Sequence, residues 1–274
     1  DFEEIKAQTM GADATAEIAS LFGLYEISPH DRLTLTAGLR YDDHSLFGDD
    51  ITGRATAVFE LSETTSIHSA YSQGRKAPTL DELTDTPSLK PEEATSFDLG
   101  ITHTGLDGVT FGLTYFRQET ENLLQYVGVW PCVASCYANV NEAETEGVEL
   151  IADLPLSHTM VLTAHYTYTH AQTGDGNQLG RIPEHEANLT LAYNPDEPFS
   201  GNIILRYNGE EPNTNGSQIK LASWTRLDAN AAYELGDGKE LYMRIENLFD
   251  EHYQQVLGYG TPGLSGSIGV RFGL

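Results

Sequence analysis

Connections of two lengths alternate along this chain, and they separate segments in which every second residue is apolar. Short turns fall at SPHD (28–31), LSET (61–64), TGLDG (104–108), DLPLSH (153–158), NPDEPF (194–199) and GDGK (236–239). Longer polar segments lie between them, at about 43–52, 74–93, 120–138, 171–182, 209–221 and 255–263. Within LTLTAGLRYD, Leu33, Leu35, Ala37, Leu39 and Tyr41 point one way while Thr34, Thr36, Gly38, Arg40 and Asp42 point the other, because side chains on a strand alternate with period two. The same pattern runs through Val109, Phe111, Leu113 and Tyr115, through Ala187, Leu189, Leu191 and Tyr193, and through Leu241, Met243 and Ile245. A soluble sandwich also alternates apolar and polar residues, but it has no reason to place every long loop at one end. A transmembrane barrel does, with short turns on the periplasmic side, long loops outside and strands that run apolar-out and polar-in.

About thirteen strands are expected, at roughly 14–27, 32–43, 52–61, 64–73, 94–104, 109–122, 139–154, 159–170, 183–194, 199–208, 222–235, 240–254 and 264–273. The predicted fold class is all-β, an antiparallel transmembrane β-barrel, and residues 1–274 read as a single partial barrel domain with no plug domain. Single-chain bacterial barrels have even strand numbers, so an odd count implies strands upstream of this sequence. The opening DFEEIKAQTM has neither the basic nor the apolar region of a signal peptide, which agrees with an incomplete chain. Tyr41, Tyr71, Tyr115, Tyr166, Tyr168, Tyr193 and Tyr207 sit near strand ends in the manner of an aromatic girdle.

Charge narrows the partners. With 41 acidic against 15 basic residues the formal charge is -26; phosphate backbones need clustered Lys and Arg, so no nucleic-acid partner is expected. No apolar run approaches the length of a spanning helix. Cys132 and Cys136 share one short segment, WPCVASCYAN; a disulfide closing a small extracellular loop fits an oxidising compartment, and free thiols are the alternative. Asp42, Asp43, Asp49 and Asp50 supply carboxylate oxygens that calcium accepts in irregular loops, although their spacing is not that of an EF-hand and a solvated loop has the same composition. No phosphate loop, H-E-x-x-H or G-x-S-x-G motif occurs and the histidines are scattered, so no catalytic residues, no enzyme activity and no covalent cofactor are expected. Flat apolar faces that grip a large chelate would come from Trp130, Tyr137, Tyr253 and Tyr259. Lumen-facing Arg40, Arg206, Arg244 and Arg271 should pair with Glu or Asp across strands or meet a plug, since a charge facing lipid at the midplane costs roughly 2–4 kcal/mol.

Several segments resemble TonB-dependent receptors. Tyr71-Ser-Gln-Gly-Arg-Lys-Ala-Pro-Thr-Leu-Asp-Glu-Leu83 followed by Pro87-Ser-Leu-Lys-Pro-Glu-Glu93 is similar to a region of that family, as are Tyr115-Phe116-Arg117, Tyr137-Ala-Asn-Val-Asn141 leading to Glu146-Gly-Val-Glu149, and Arg181-Ile-Pro-Glu-His185. Glu246-Asn-Leu-Phe-Asp-Glu-His-Tyr253 with Gly258-Tyr-Gly-Thr-Pro-Gly263 resembles its closing motifs, with spacing nearest the cobalamin-receptor-like branch. The resemblance implies the last thirteen strands of a 22-stranded barrel in the bacterial outer membrane, in contact with its lipid. It also implies import of a metal chelate, cobalamin or a ferric siderophore, with a TonB energy-transducing complex acting through a plug that this sequence lacks. Two features depart from the family: Phe272 is followed by Gly273 and Leu274 where an aromatic residue usually ends the chain, and Leu264 stands where Arg often follows Pro-Gly. The rival classes are a passive porin or secretion barrel and a soluble acidic β-sheet binding protein. The soluble reading requires Leu33, Leu35, Leu39, Phe111, Leu189, Leu205 and Ile268 to be buried in a core.

Overall fold

In a computed structural model, the period-two segments become β1 (Phe2–Thr9), β2 (Ala12–His30), β3 (Leu33–His44), β4 (Gly48–Ser62), β5 (Thr65–Lys76), β6 (Glu92–Thr104), β7 (Thr110–Tyr126) and β8 (Tyr137–Pro155). They continue as β9 (Met160–Thr173), β10 (His185–Tyr193), β11 (Phe199–Asn208), β14 (Trp224–Gly236), β15 (Lys239–Glu246) and β16 (Ser265–Phe272). Long connections add a short helix, α1 (Leu80–Asp85), and a two-residue hairpin, β12 (Glu211–Pro212) with β13 (Lys220–Leu221). The structure describes residues 2–9, 12–105, 108–127, 136–195 and 198–273, without the side chains of 2–9, 12–14 and 141. Among these residues fourteen strands form one sheet in chain order, the β12–β13 hairpin standing apart; β1 to β5, and β9 to β11 with β14 to β16, pair antiparallel.

The expected count of about thirteen agrees with the sheet, which has one further strand at its start. Phe2–Thr9 pairs with Ala12–Ala19, and FEEIKAQT was missed because its polar residues fall on both faces and leave no apolar stripe. Two boundaries also move. The polar segment 43–52 is no loop: β3 runs to His44 and β4 restarts at Gly48, around a turn in which His44 Nδ1 accepts the Leu46 N–H and the Ser45 N–H donates to the Glu17 carbonyl. The strand expected over 240–254 stops at Glu246, since Asn247 has a left-handed φ of 55° that breaks the ladder.

Two interleaved units make up the chain: Asp1–Leu99 with Phe116–Glu146 and Gln172–Gly176, and Gly100–Tyr115 with Gly147–Ala171 and Asn177–Leu274. Each has one apolar and one polar face. In the first unit Leu21, Tyr41 and Ile51 register across β2, β3 and β4, while Ser20, Asp42 and Asp50 share the opposite face of the same strands. In the second, Leu189, Leu205 and Leu227 register on one face and Asn188, Arg206 and Arg226 on the other.

The apolar set is not a core. Leu39 is 66% exposed and Ile268 73%, and Leu35, Phe111 and Leu189 are also exposed. Large apolar surface in water is disfavoured by about 25 cal/mol per Å², so a whole exposed face belongs against lipid rather than solvent. No helix among the described residues is long and apolar enough to cross a membrane.

Across β15 and β16, Tyr242 registers with Gly269 and lies on it so closely that a Cβ at Gly269 would stand 2.5 Å from the tyrosine hydroxyl. Arg271 caps that ring at 5.5 Å and pairs with Glu240 at 2.7 Å.

Candidate functional site

The long-loop end of the first unit is built around the β5–β6 connection. Pro78, Leu80, Leu89 and Pro91 are buried and form its small apolar centre. Thr79 caps α1 by accepting from the Glu82 N–H at 3.2 Å while Glu82 accepts the Thr79 N–H at 2.7 Å, a reciprocal box that fixes the helix start. Three polar side chains then fasten the connection to β7 and β8. Asp85 accepts the Cys136 N–H at 2.6 Å. Asn139 accepts the Lys90 N–H at 2.8 Å and donates to the Lys90 and Asn122 carbonyls at 2.9 and 2.6 Å. Glu92, 9% exposed, accepts the Leu124 N–H at 2.7 Å and pairs with Lys76 at 3.0 Å. The K-A-P-T-L and L-K-P-E segments are thus the parts of one fastening.

In the second unit one buried residue, with Asp250 beside it, takes that part. Asn247 is 1% exposed; its amide donates to the carbonyls of Glu251 and Pro262 at 2.9 and 3.2 Å, its side-chain oxygen accepts the Glu251 N–H at 2.9 Å, and its own N–H donates to Asp228 at 2.9 Å. Asp250 Oδ1 accepts the Leu264 N–H at 2.8 Å and leaves no room for a Cβ at Gly263. The N-L-F-D and P-G segments therefore close the two ends of the 247–264 loop. Beneath it Asp228 meets Arg206 and Arg226, both at 2.7 Å, and Glu246 meets Arg226 and Arg244 at 3.0 and 2.8 Å.

Three connections join into one pad in this unit. Arg181, at φ 61°, donates its N–H to the Pro212 carbonyl at 2.8 Å and its Nε to Asn213 O at 3.2 Å; the Gly180 N–H reaches Asn215 at 2.8 Å and the Leu257 N–H reaches Asn213 at 3.3 Å. Burial holds the Glu211 carboxyl above the usual carboxylate range, Glu186 adding to the effect. Its bond to Glu210 holds the Lys220 ammonium above the ordinary lysine range.

Tyr253 stacks on Trp224 with centroids 4.3 Å apart, and Arg226 Nη1 donates to its hydroxyl at 3.4 Å. Tyr259, on the same loop, is 74% exposed. Tyr137 meets Tyr126 edge-on at 5.4 Å in the first unit. Trp130 and Cys132 lie outside the described residues; Cys136 is disulfide-bonded. Asp42 registers with Asp50 and Asp43 with Asp49, but Asp42 is engaged by Arg40 at 2.8 Å and by the Ser20 hydroxyl. No group of three or more metal-ligating side chains occurs among the described residues. Arg206 and Arg271 meet carboxylates across strands as expected, whereas Arg40 and Arg244 pair instead with the residue two along their own strand. Trp224 and Arg226 were not foreseen; the signal was their alternation with Asp228 on the polar face of β14.

An antiparallel sheet with one lipid-facing and one polar face, short turns at one end and built loops at the other, defines the outer-membrane β-barrel class. Residues 4–248 match the family model described as TonB dependent receptor-like, beta-barrel, and the chain belongs to that family, whose members are receptors of the bacterial outer membrane. An iron-regulated outer membrane virulence protein of Vibrio cholerae serotype O1 is 26% identical over 266 residues, covering 85% of this chain and 41% of the relative. A vitamin B12 transporter BtuB of Vibrio vulnificus is 27% identical, covering 83% and 37%. The chain thus spans about two fifths of the length of these relatives. Among solved structures, the ferric enterobactin receptor PfeA of Pseudomonas aeruginosa superposes with a TM-score of 0.81 at 23% identity, covering 94% of this chain and 45% of that one. The siderophore receptor PirA of Acinetobacter baumannii gives 0.82 at 18%, covering 97% and 47%.

Proposed function

We propose that this chain supplies barrel wall and cargo-selecting loops to a receptor that imports a metal chelate across the outer membrane, a ferric siderophore being the first cargo to test and cobalamin the second. The observation that carries this reading is the pad of the second unit. Asn247 ties Glu251 to Pro262 and Tyr253 stacks on Trp224, so this aromatic pair is in place before a ligand arrives, and a preorganised aromatic surface loses less entropy on binding. A ferric siderophore is favoured because one similar protein is named as iron-regulated and a superposable one as a ferric enterobactin receptor. A plug against the polar face and a TonB energy-transducing complex complete the proposed import machine; both come from family membership.

Binding of a ferric catecholate siderophore and of cyanocobalamin to the full-length protein in detergent tests the reading, followed by tryptophan quenching. Saturable binding of the siderophore that falls at least tenfold in Trp224→Ala is the expected result. Binding of cyanocobalamin alone changes the cargo, and binding of neither chelate rejects the function.

A further inference from the structure

The lipid-facing side of the first unit is not uniform. Along β4 three successive outward residues, Gly53, Ala55 and Ala57, have almost no side chain, and Ala37 beside Ala55 on β3 is as small. Their neighbours are large. Tyr25, Ala37, Ala55 and Tyr71 register at one level across β2, β3, β4 and β5, so two aromatic walls stand three strand spacings apart, roughly 14 Å, over a floor of methyl groups. Leu35 on β3 and Ile27 on β2 flank the floor toward the short turns. The result is a groove of about 480 Å³ whose lining includes Tyr25, Leu35, Ala37, Ala55, Ala57 and Tyr71.

This groove is continuous with the face that meets the bilayer, which identifies what fills it. No water is present at that depth, and an unfilled trough would forfeit the dispersion contacts of every atom lining it. A polymethylene chain is the one component of the hydrocarbon layer slim enough to lie between the tyrosines. Ala37 lies four residues beyond Leu33, the first residue of β3 after the short β2–β3 turn, roughly 10 Å in height for a tilted strand. That height belongs to the leaflet on the periplasmic side. We propose that the groove between Tyr25 and Tyr71 is a binding site for one phospholipid acyl chain of the inner leaflet, held by fit rather than exchanged freely with the surrounding lipid. The proposal rests on residence in the outer membrane and is independent of the cargo.

Native mass spectrometry of the full-length protein, purified from outer membranes and equilibrated in detergent with 1-palmitoyl-2-oleoyl-phosphatidylethanolamine, tests it. Retention of one phospholipid is expected. Ala55→Phe fills the floor and should lower retention at least fivefold, and Tyr71→Ala, which removes a wall, should lower it at least threefold. Ala229→Phe adds the same bulk between Ile203 and Ile245 and should leave retention unchanged. Heat-modifiable migration reports folding of each variant, with Ala57→Leu as the milder filling should Ala55→Phe fail to fold. Unchanged retention in a folded groove-filling variant, or an equal loss in Ala229→Phe, overturns the proposal. So does retention of lipopolysaccharide in place of phospholipid, or a disulfide between copies in membranes carrying Ser69→Cys, which would make the groove an interface between copies.

Discussion

The long-loop ends of the two units reach order by opposite routes. In the first, Asp85, Asn139 and Glu92 each make a separate fastening to the ends of β7 and β8, so the connection is held at several points. In the second, one buried side chain, Asn247, gathers both ends of the 247–264 loop. Distributed fastenings should fail gradually and a single hub abruptly, because effects of residues without shared partners add whereas a hub strands several groups at once.

The largest expected effect follows from the hub. Asn247→Ala leaves the Glu251 N–H and the carbonyls of Glu251 and Pro262 without partners, a local cost of about 3 kcal/mol. Hydrogen exchange across 251–263 should then quicken by about two orders of magnitude, and chelate binding should be lost with it. Removing one fastening of the first unit is the contrasting experiment. Glu92→Ala strands the Leu124 N–H and should cost about 2 kcal/mol locally, whereas Glu92→Gln keeps an acceptor and loses only a pair with the well-exposed Lys76, a change under about 1 kcal/mol. If Glu92→Ala loosens 79–91 as completely as Asn247→Ala loosens 251–263, the distinction between hub and distributed fastening is wrong.

A smaller effect sharpens the comparison at the aromatic pairs. Trp224→Ala removes a parallel stack and Tyr137→Ala an edge contact, each worth about 1 kcal/mol beyond area; thermal unfolding should respond similarly to both, while chelate binding should respond to Trp224→Ala alone. The smallest concerns pH. A carboxyl raised above its ordinary value binds its proton more tightly when folded, so Glu211 stabilises the pad in acid and that contribution is lost as pH rises from about 4.5 through the raised value. Glu211→Gln should flatten this dependence and protect 209–221 slightly more at neutral pH, as measured by hydrogen exchange across the titration.

Alternation and turn length made the sheet legible because both are local: period two is visible within ten residues, and five of the six short turns carry Pro, Gly, Asp or Asn. FEEIKAQT escaped because pairing with β2 requires no apolar stripe of its own. The fastenings were legible only as motifs. Nothing within K-A-P-T-L or N-L-F-D says that Lys90 meets Asn139 across 49 residues, or that Asn247 meets Pro262 across 15, since sequence proximity carries no information about which carbonyl an amide will find. Tyr137, Tyr253 and Tyr259 could be named as aromatic loop residues, but the stack of Tyr253 on Trp224 is set by the end of β14.

The tyrosine lying on Gly269 makes the last pair of strands a keyed joint. Sliding β16 by two residues either way would preserve the alternation of faces but bring Ser267 or Arg271 under the ring. Patterning alone is blind to that error. A larger residue at Gly269 should therefore weaken the native register against its slipped alternatives, and the harm would appear as kinetically trapped barrels during insertion, before any cargo is met.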